Sequence, residues 1–345
     1  MGSHRRPAPS GLDRGARSAT LCVLSAAAAA VGLVPAGAAP SAPSAPSAPQ
    51  DDARAEVDRL YAEAERATEA HNKAGERAET LREKVTTAQD RLARQQDRIN
   101  TMRDALGSLA GAQYRSGGLD PTLALMFSGD PDDYLDKAAV LDRIGARQAG
   151  ALRDLRGAMR QLSQERQEAT HDLAELEKSR AAVARHKRTV EQKLSKARRL
   201  LNALPDEERA AYDRASRSGR VPDLGGVVPP SARAAAAVAA ARSAVGRPYV
   251  WGANGPTGFD CSGLMQWSYA QAGLGLPRTS QAQANAGRQV PLSQAQPGDL
   301  VAYRSDASHI GMYMGNGQVV HAPYPGAPVR YDPVGMMPIS SVTRP

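Results

Sequence analysis

Val57, Ala64, His71, Ala78, Val85, Leu92, Ile99 and Leu106 recur every seven residues, and Leu60, Ala67, Ala74, Leu81, Ala88, Gln95, Met102 and Leu109 form a second series three places behind. Eight successive heptads with charged flanks commit this stretch to a coiled coil, because a seven-residue period keeps one seam of a helix turned toward a partner. At 1.5 Å per residue the helix is on the order of 90 Å long. The many alanines predict close helix approach. His71 and Gln95 are expected to set register in the seam rather than to serve as ligands.

A second helical run follows. Leu141, Leu155, Leu162, Leu176, Val183 and Val190 share one series, and Leu152, Met159, Leu173, Leu194 and Leu201 another, four places away. Arg166, Arg180 and Lys187 interrupt this seam. Between the runs, Gly117-Gly118, Asp120-Pro121 and Asp130-Pro131 break the helix around an apolar island of Leu123, Leu125, Met126 and Phe127. The pattern predicts an antiparallel α-helical hairpin over 51–204 with its tip at about 112–135. Such an arm is too thin to house a substrate pocket, so its business is reach and protein contact. The apolar tip is either a partner-binding patch or a small core of its own.

The flanks have other compositions. Arg5, Arg6, Arg14 and Arg17 precede an apolar stretch from Leu21 to Ala36, and Ala36-Gly37-Ala38 is an A-x-A-like cleavage site. Residues 1–38 therefore read as a secretory signal peptide. The stretch is short for a bilayer of roughly 30 Å and is broken by Pro35, which disfavours a membrane anchor. Residues 39–50 form a Pro/Ser/Ala linker, and 205–231, with Gly219, Pro222, Gly225, Gly226, Pro229 and Pro230, form a second. The mature chain is expected to lack a transmembrane segment and to be secreted, extracellular or cell-wall associated. Of the net charge of +8, the last 113 residues contribute eight arginines against four aspartates. With no basic-aromatic motif, nucleic acid is a poor partner for an exported chain, and an anionic wall polymer a better one.

Residues 232–345 are enough for one core. An Ala-rich helix over 232–245 and a helix starting near Cys261 precede short strands at 299–303, 310–314, 319–321 and 329–331. Gly315-Asn316-Gly317 makes a turn between two of them, which is the order of an α+β domain. With Cys22 lost in the signal, Cys261 stands alone, and an unpaired thiol in an oxidising compartment is either a nucleophile or a small buried hydrophobe. Asp260 suits an N-cap, which puts Cys261 in a first helical turn where the helix dipole favours thiolate. Its base must titrate near neutrality, and the domain holds two histidines, His309 and His321, on strands joined by the tight turn. Taken alone, each histidine is more readily a satisfied structural residue, and the lone cysteine on a helix start reverses that balance. A zinc site from Cys261, His309 and His321 lacks HExxH or CxxC spacing, so no metal and no cofactor are expected.

RPYVWGANGPTGFDCSGLMQW, LPRTSQAQ, QPGDLVAY and SHIGMYMGNGQVVHAP follow one another over about residues 240–340. Together they resemble the NlpC/P60 family of peptidoglycan cysteine endopeptidases. The resemblance implies a papain-like fold, with Cys261 as nucleophile, His309 as general base and acid, and His321 orienting His309. It implies cleavage of stem peptides between D-glutamate and a diamino acid. Tyr249, Asp260 and Ser262 match positions at the substrate groove, with Asp260 equally suited to cap the helix. Ser280 and Arg278 fall in a family motif without an assigned role, and Ala253 stands where many relatives carry glycine. The front half more loosely resembles the coiled coils of division-associated wall hydrolases. That implies recruitment by a membrane division complex of ABC-transporter type and autoinhibition by the hairpin. A non-catalytic wall-binding scaffold, or an acyltransferase or amidase using the same thiol, are the alternatives.

Overall fold

The first heptad run folds as one uninterrupted helix, α1 (Ala48–Arg115), and the second as α2 (Pro131–Ala203). This is a computed structural model, and it describes residues 48–115, 131–217 and 228–345. The signal segment, Cys22, nearly all of the first linker and the island at Leu123, Leu125, Met126 and Phe127 lie outside the described residues.

α1 and α2 pack antiparallel. Near the base, Val57, Leu60 and Ala64 meet Val190, Leu194 and Ala197, and farther out Ile99 meets Ala158 and Leu162. Both seven-residue series of α1 are turned away from solvent, except for Leu109 at the far end. The two seam polars bond across the pair: His71 Nδ1 meets the Val183 carbonyl at 3.2 Å, and Gln95 Nε2 donates to the Ala158 carbonyl at 3.4 Å. The second seam differs from expectation in part: Leu194 is buried and Leu201 packs against the same core, as expected, but the rest of that series does not. Leu152, Met159 and Leu173 remain 43%, 43% and 48% exposed, and Ala158 and Ser179, three places after the first series instead of four, are buried. Small residues fit where the helices approach closely, and the larger side chains turn outward.

The segment 205–231, expected to be linker throughout, begins with helix α3 (Asp206–Arg217). Three acidic residues in its first turn, Asp206, Glu207 and Glu208, favour that start. Tyr212 of α3 donates to Asp58 of α1 at 3.1 Å.

The C-terminal domain opens with α4 (Ala232–Ser243), capped by Ser231, whose hydroxyl accepts the Ala234 N–H at 3.0 Å. Ala237, Val238 and Ala241 of α4 pack against α5 (Cys261–Gln271), whose Leu264 and Met265 share the same core. A four-residue helix, α6 (Ser280–Gln283), follows. Six strands then form one antiparallel sheet in the order β1-β6-β2-β3-β4-β5. They are β1 (Arg288–Gln289), β2 (Leu300–Tyr303), β3 (His309–Gly315), β4 (Gln318–His321), β5 (Arg330–Pro333) and β6 (Ile339–Arg344). Strands β2 to β5 stand where the sequence put them. β1 and β6 were not expected, because one is two residues long and the other, ISSVTR, lacks a strong apolar alternation. Asn316 and Gly317 turn β3 into β4 with φ of 51° and 69°, the left-handed pair that a two-residue hairpin needs.

The architecture is α+β and papain-like, preceded by a long antiparallel helical hairpin. Among the described residues, no helix is long and apolar enough to cross a membrane.

Candidate active site

Asp260 ends an extended segment and caps α5, with Oδ1 accepting the Gly263 N–H at 2.6 Å. Gly263 is required here, because a Cβ at that position would fall 2.1 Å from the Ala253 carbonyl oxygen. The cap places Cys261 at the first position of the helix, 1% exposed beneath α1. Asp260 is a structural anchor as well as a neighbour of the thiol. Its two oxygens take a bidentate fork from Arg278 at 3.0 and 2.6 Å, and Oδ2 also accepts the Gly252 N–H at 3.0 Å.

The sheet supplies the histidines. His309 opens β3 and His321 closes β4, and Gly311 faces His321 with no side chain to crowd it. His309 Nε2 and His321 Nδ1 lie 2.7 Å apart, and the rings meet edge to face. His321 Nε2 lies 2.8 Å from Asp332 Oδ2 on β5, and Arg330 Nε donates to the same oxygen at 2.8 Å. A sulfur, a ring nitrogen and a carboxylate oxygen from Cys261, His309 and Glu65 all lie within 4.8 Å of one another. The structure thus brings Cys261, His309 and His321 together, with Ser262 and Asp260 adjacent. Tyr249 is buried in the same core as Cys261. Burial, followed by the charges at Cys261, Glu65, Asp260 and Glu69, pushes its phenol well up, so it is a proton donor.

The third member of that cluster comes from the arm. Glu65 of α1 bonds His309 Nδ1 through Oε1 and Arg304 Nη1 through Oε2, the latter at 2.5 Å. One turn on, Glu69 accepts from Ser262 Oγ at 2.7 Å and from the Ser280 N–H at 2.7 Å, and lies 3.7 Å from Cys261 Sγ. A further turn on, Asn72 donates to Asp260 Oδ2 at 3.0 Å. Tyr61 stacks on Tyr324 with ring centroids 5.0 Å apart, and His71 meets Trp251 edge-on at 5.4 Å. Tyr61, Glu65, Thr68, Glu69 and Asn72 are all buried, forming one stripe of α1 beside the coiled-coil seam.

This stripe reverses the electrostatics that a nucleophilic thiol needs. The α5 N-terminus favours thiolate, but burial, then Glu69, Glu65 and Asp260, push the Cys261 thiol well up. Burial, then the Asp260 charge, lifts Glu69 to about 7. Glu65 stays ionised: burial opposes this, but the His309 and Arg304 contacts outweigh it and hold its carboxyl below the ordinary value. The Cys261–His309–Glu65 trio has metal-ligand chemistry, but ligands of a tetrahedral zinc at about 2.0–2.3 Å from the ion must stand well apart. The Glu65 oxygen instead touches His309 Nδ1 directly, so the pair is a hydrogen-bonded contact with no gap for an ion.

Sequence reasoning missed Glu65, Glu69 and Asn72, as well as Asp332 and Arg304, and left Arg278 and Ser280 without roles. Ser280 Oγ is buried without a hydrogen-bond partner, next to the backbone N–H that Glu69 engages.

A helix-borne cysteine set against two histidines from an antiparallel sheet is the arrangement of papain-like thiol hydrolases. Residues 246–342 belong to the NlpC/P60 family. A "probable endopeptidase" of Corynebacterium glutamicum is 47% identical over 116 residues, covering 34% of this chain and 56% of that protein. A "probable endopeptidase" of Mycobacterium tuberculosis is 52% identical over 99 residues, 29% of this chain and 26% of that protein. The crystal structure of the P60 domain of an antigen from M. avium subspecies paratuberculosis is 38% identical, covering 32% of this chain and 93% of that one, with a TM-score of 0.31. The chain spans about half the length of the Corynebacterium relative, and all of these matches cover about a third of this chain or less.

Proposed function

We propose that this chain is a secreted peptidoglycan endopeptidase that works by a Cys–His–His mechanism and is held latent by its own α1. The observation that carries the reading is Cys261 on the α5 N-terminus, facing His309, with His309 backed by His321. In the open site His309 Nδ1 takes the thiol proton as sulfur attacks the carbonyl carbon of a stem peptide. The Cys261 N–H at the helix start and the Tyr249 hydroxyl are the donors for the oxyanion. His309 returns the proton to the departing amine of the diamino acid, and water then releases the glutamyl product from the thioester. Ser262 and the Ser280 N–H, freed from Glu69, line the groove beside the thiol, with Arg278 bonded to Ser262 and Asp260.

Latency rests on the same geometry. α1 lies over Cys261, occupies His309 Nδ1 and adds two carboxylates to the thiol's surroundings. A partner on the arm, such as a membrane division complex of ABC-transporter type, would free the groove by drawing α1 away.

The test is to incubate the full chain and its Glu65→Ala/Glu69→Ala variant with soluble stem-peptide fragments and identify products by mass spectrometry. Products ending in D-glutamate, paired with a free diamino-acid amine, are expected from the variant, unchanged by EDTA. Absence of any product with the thiol reactive would favour a wall-binding scaffold. Products cut at another amide would favour an amidase.

Docking of α1 is expected to weaken as pH rises. Glu69 faces Asp260, Cys261 and Arg278 in the docked state, and its carboxyl moves from an ordinary value near 4.5 to about 7 there. The docked state therefore binds more protons. This contribution is fully present below about 4.5 and is lost as pH climbs through about 7. Glu65 acts oppositely, but only below about 4.5, where its depressed carboxyl titrates. The urea midpoint for undocking, read from Trp251 emission in a Trp267→Phe background, should fall as pH rises from 5 to 7.5, and Glu69→Gln should reduce that fall.

A further inference from the structure

Asp332 carries no signal in the sequence, yet it ends an unbroken chain of hydrogen bonds that begins at the arm: Glu65, His309, His321, Asp332. Proton counting along this chain fixes which ring nitrogens carry hydrogen. An ionised carboxylate only accepts hydrogen bonds. Burial opposes ionisation of Asp332, but hydrogen bonds from His321 and Arg330 hold its carboxyl below the ordinary value. His321 Nε2 must therefore carry a proton. Burial pushes His321 down to about 4, so the ring is neutral and its Nδ1 bears a lone pair. His309 Nε2 must then donate across the 2.7 Å contact. In a neutral His309 this leaves Nδ1 bare, the nitrogen that Glu65 occupies in the docked form.

We propose that Asp332 is a positioning residue that sets the tautomers of both histidines, so that His309 presents a bare Nδ1 to the thiol once the arm has left. The proposal rests on the Cys–His–His reading above and deepens it. Without the Asp332 acceptor, His321 is free to place its proton on Nδ1 and donate to His309 Nε2. The single His309 proton would then move to Nδ1, where it cannot accept one from sulfur. The same count describes the latent form. Three hydrogen bonds between two carboxylates and two imidazoles need three ring protons, one more than two neutral rings hold. Docked Glu65 therefore keeps an extra proton on the histidine pair, and the arm disables the base as well as covering the thiol. Arg330 holds the Asp332 carboxylate in place through Nε.

Asp332→Asn is the decisive variant, because it keeps shape and replaces an obligate acceptor with a group that can donate to His321 Nε2. Nitrogen-15 spectra of the histidine rings in the full chain should show His321 protonated at Nε2 only in the wild type and at Nδ1 in Asp332→Asn. In the Glu65→Ala/Glu69→Ala background, Asp332→Asn should lower kcat by at least about 100-fold, by analogy with loss of an orienting carboxylate in other triads, with KM little changed. Asp332→Glu should recover part of the loss. The circular dichroism and melting temperature of each variant separate misfolding from mistuning. An unchanged His321 tautomer in Asp332→Asn would overturn the proposal whether or not the chain is a peptidase. Full activity with an unchanged pH profile in Asp332→Asn would overturn it while leaving the peptidase reading intact. A chain with the expected tautomers that cleaves nothing in any background would sink the peptidase reading alone.

Discussion

Removing the α1 stripe from the groove should raise cleavage of a small soluble stem peptide by about two orders of magnitude. That magnitude comes from the buried ion cluster that holds α1 down. Glu65 is buried between His309 and Arg304, and deleting one partner of a buried ionic cluster costs about 3–5 kcal/mol. A docked state favoured by only about 3 kcal/mol leaves fewer than one chain in a hundred open at any moment. Glu65→Ala/Glu69→Ala removes both carboxylates and should shift that balance toward the open form. The coiled-coil seam should be untouched, since neither residue contributes to the core shared with α2. Steady-state rates of the two full chains on one substrate provide the measurement. Equal rates would reduce the arm to a localisation device.

A larger effect, in the opposite direction, is expected at the thiol. In the same open background, Cys261→Ala and His309→Ala should each remove about 10⁴-fold or more of the rate, and the double variant little beyond that, because nucleophile and base act as a unit. His321→Ala should leave more activity, since that ring orients His309 and does not meet the substrate. Cys261 is small and buried, so its replacement by alanine should leave the melting temperature nearly unchanged. Single-turnover assays at substrate saturation would separate loss of chemistry from loss of binding. Substantial residual turnover in Cys261→Ala would remove the thiol from the mechanism.

The site was legible to the extent that its residues lie close in sequence or in regular elements. Asp260 before Cys261 announces a capped helix start. His309 and His321, twelve residues apart with Asn316-Gly317 between them, announce a hairpin that sets them side by side. The hairpin arm was legible for the same reason, since a heptad repeat states its own geometry. What could not be read is the packing of one regular element on another. Glu65 and His309 are 244 residues apart, and in a heptad frame Glu65 and Glu69 sit where solvated flanking charges belong. One faint signal was present: Tyr61, Thr68 and Asn72, uncharged and spaced at helical intervals with the two glutamates, form a second stripe that no coiled-coil partner requires. Asp332 was invisible because strand β5 offers only RYDP, with no pattern that ties its carboxylate to a histidine on the neighbouring strand. The misplaced leucines of α2 show the converse limit. Apolar periodicity counts residues, while helices that approach closely select for small ones.

The most direct test of the central claim is the alkylation rate of Cys261 by iodoacetamide at pH 7, followed by peptide mass spectrometry to separate it from Cys22. In the full chain the thiol is covered by α1 and flanked by carboxylates that disfavour thiolate, so modification should be slow. In Glu65→Ala/Glu69→Ala it should be faster by about 100-fold, matching the open fraction set by the buried ion cluster. Rapid alkylation of the unaltered chain, at the rate of the double variant, would contradict the account.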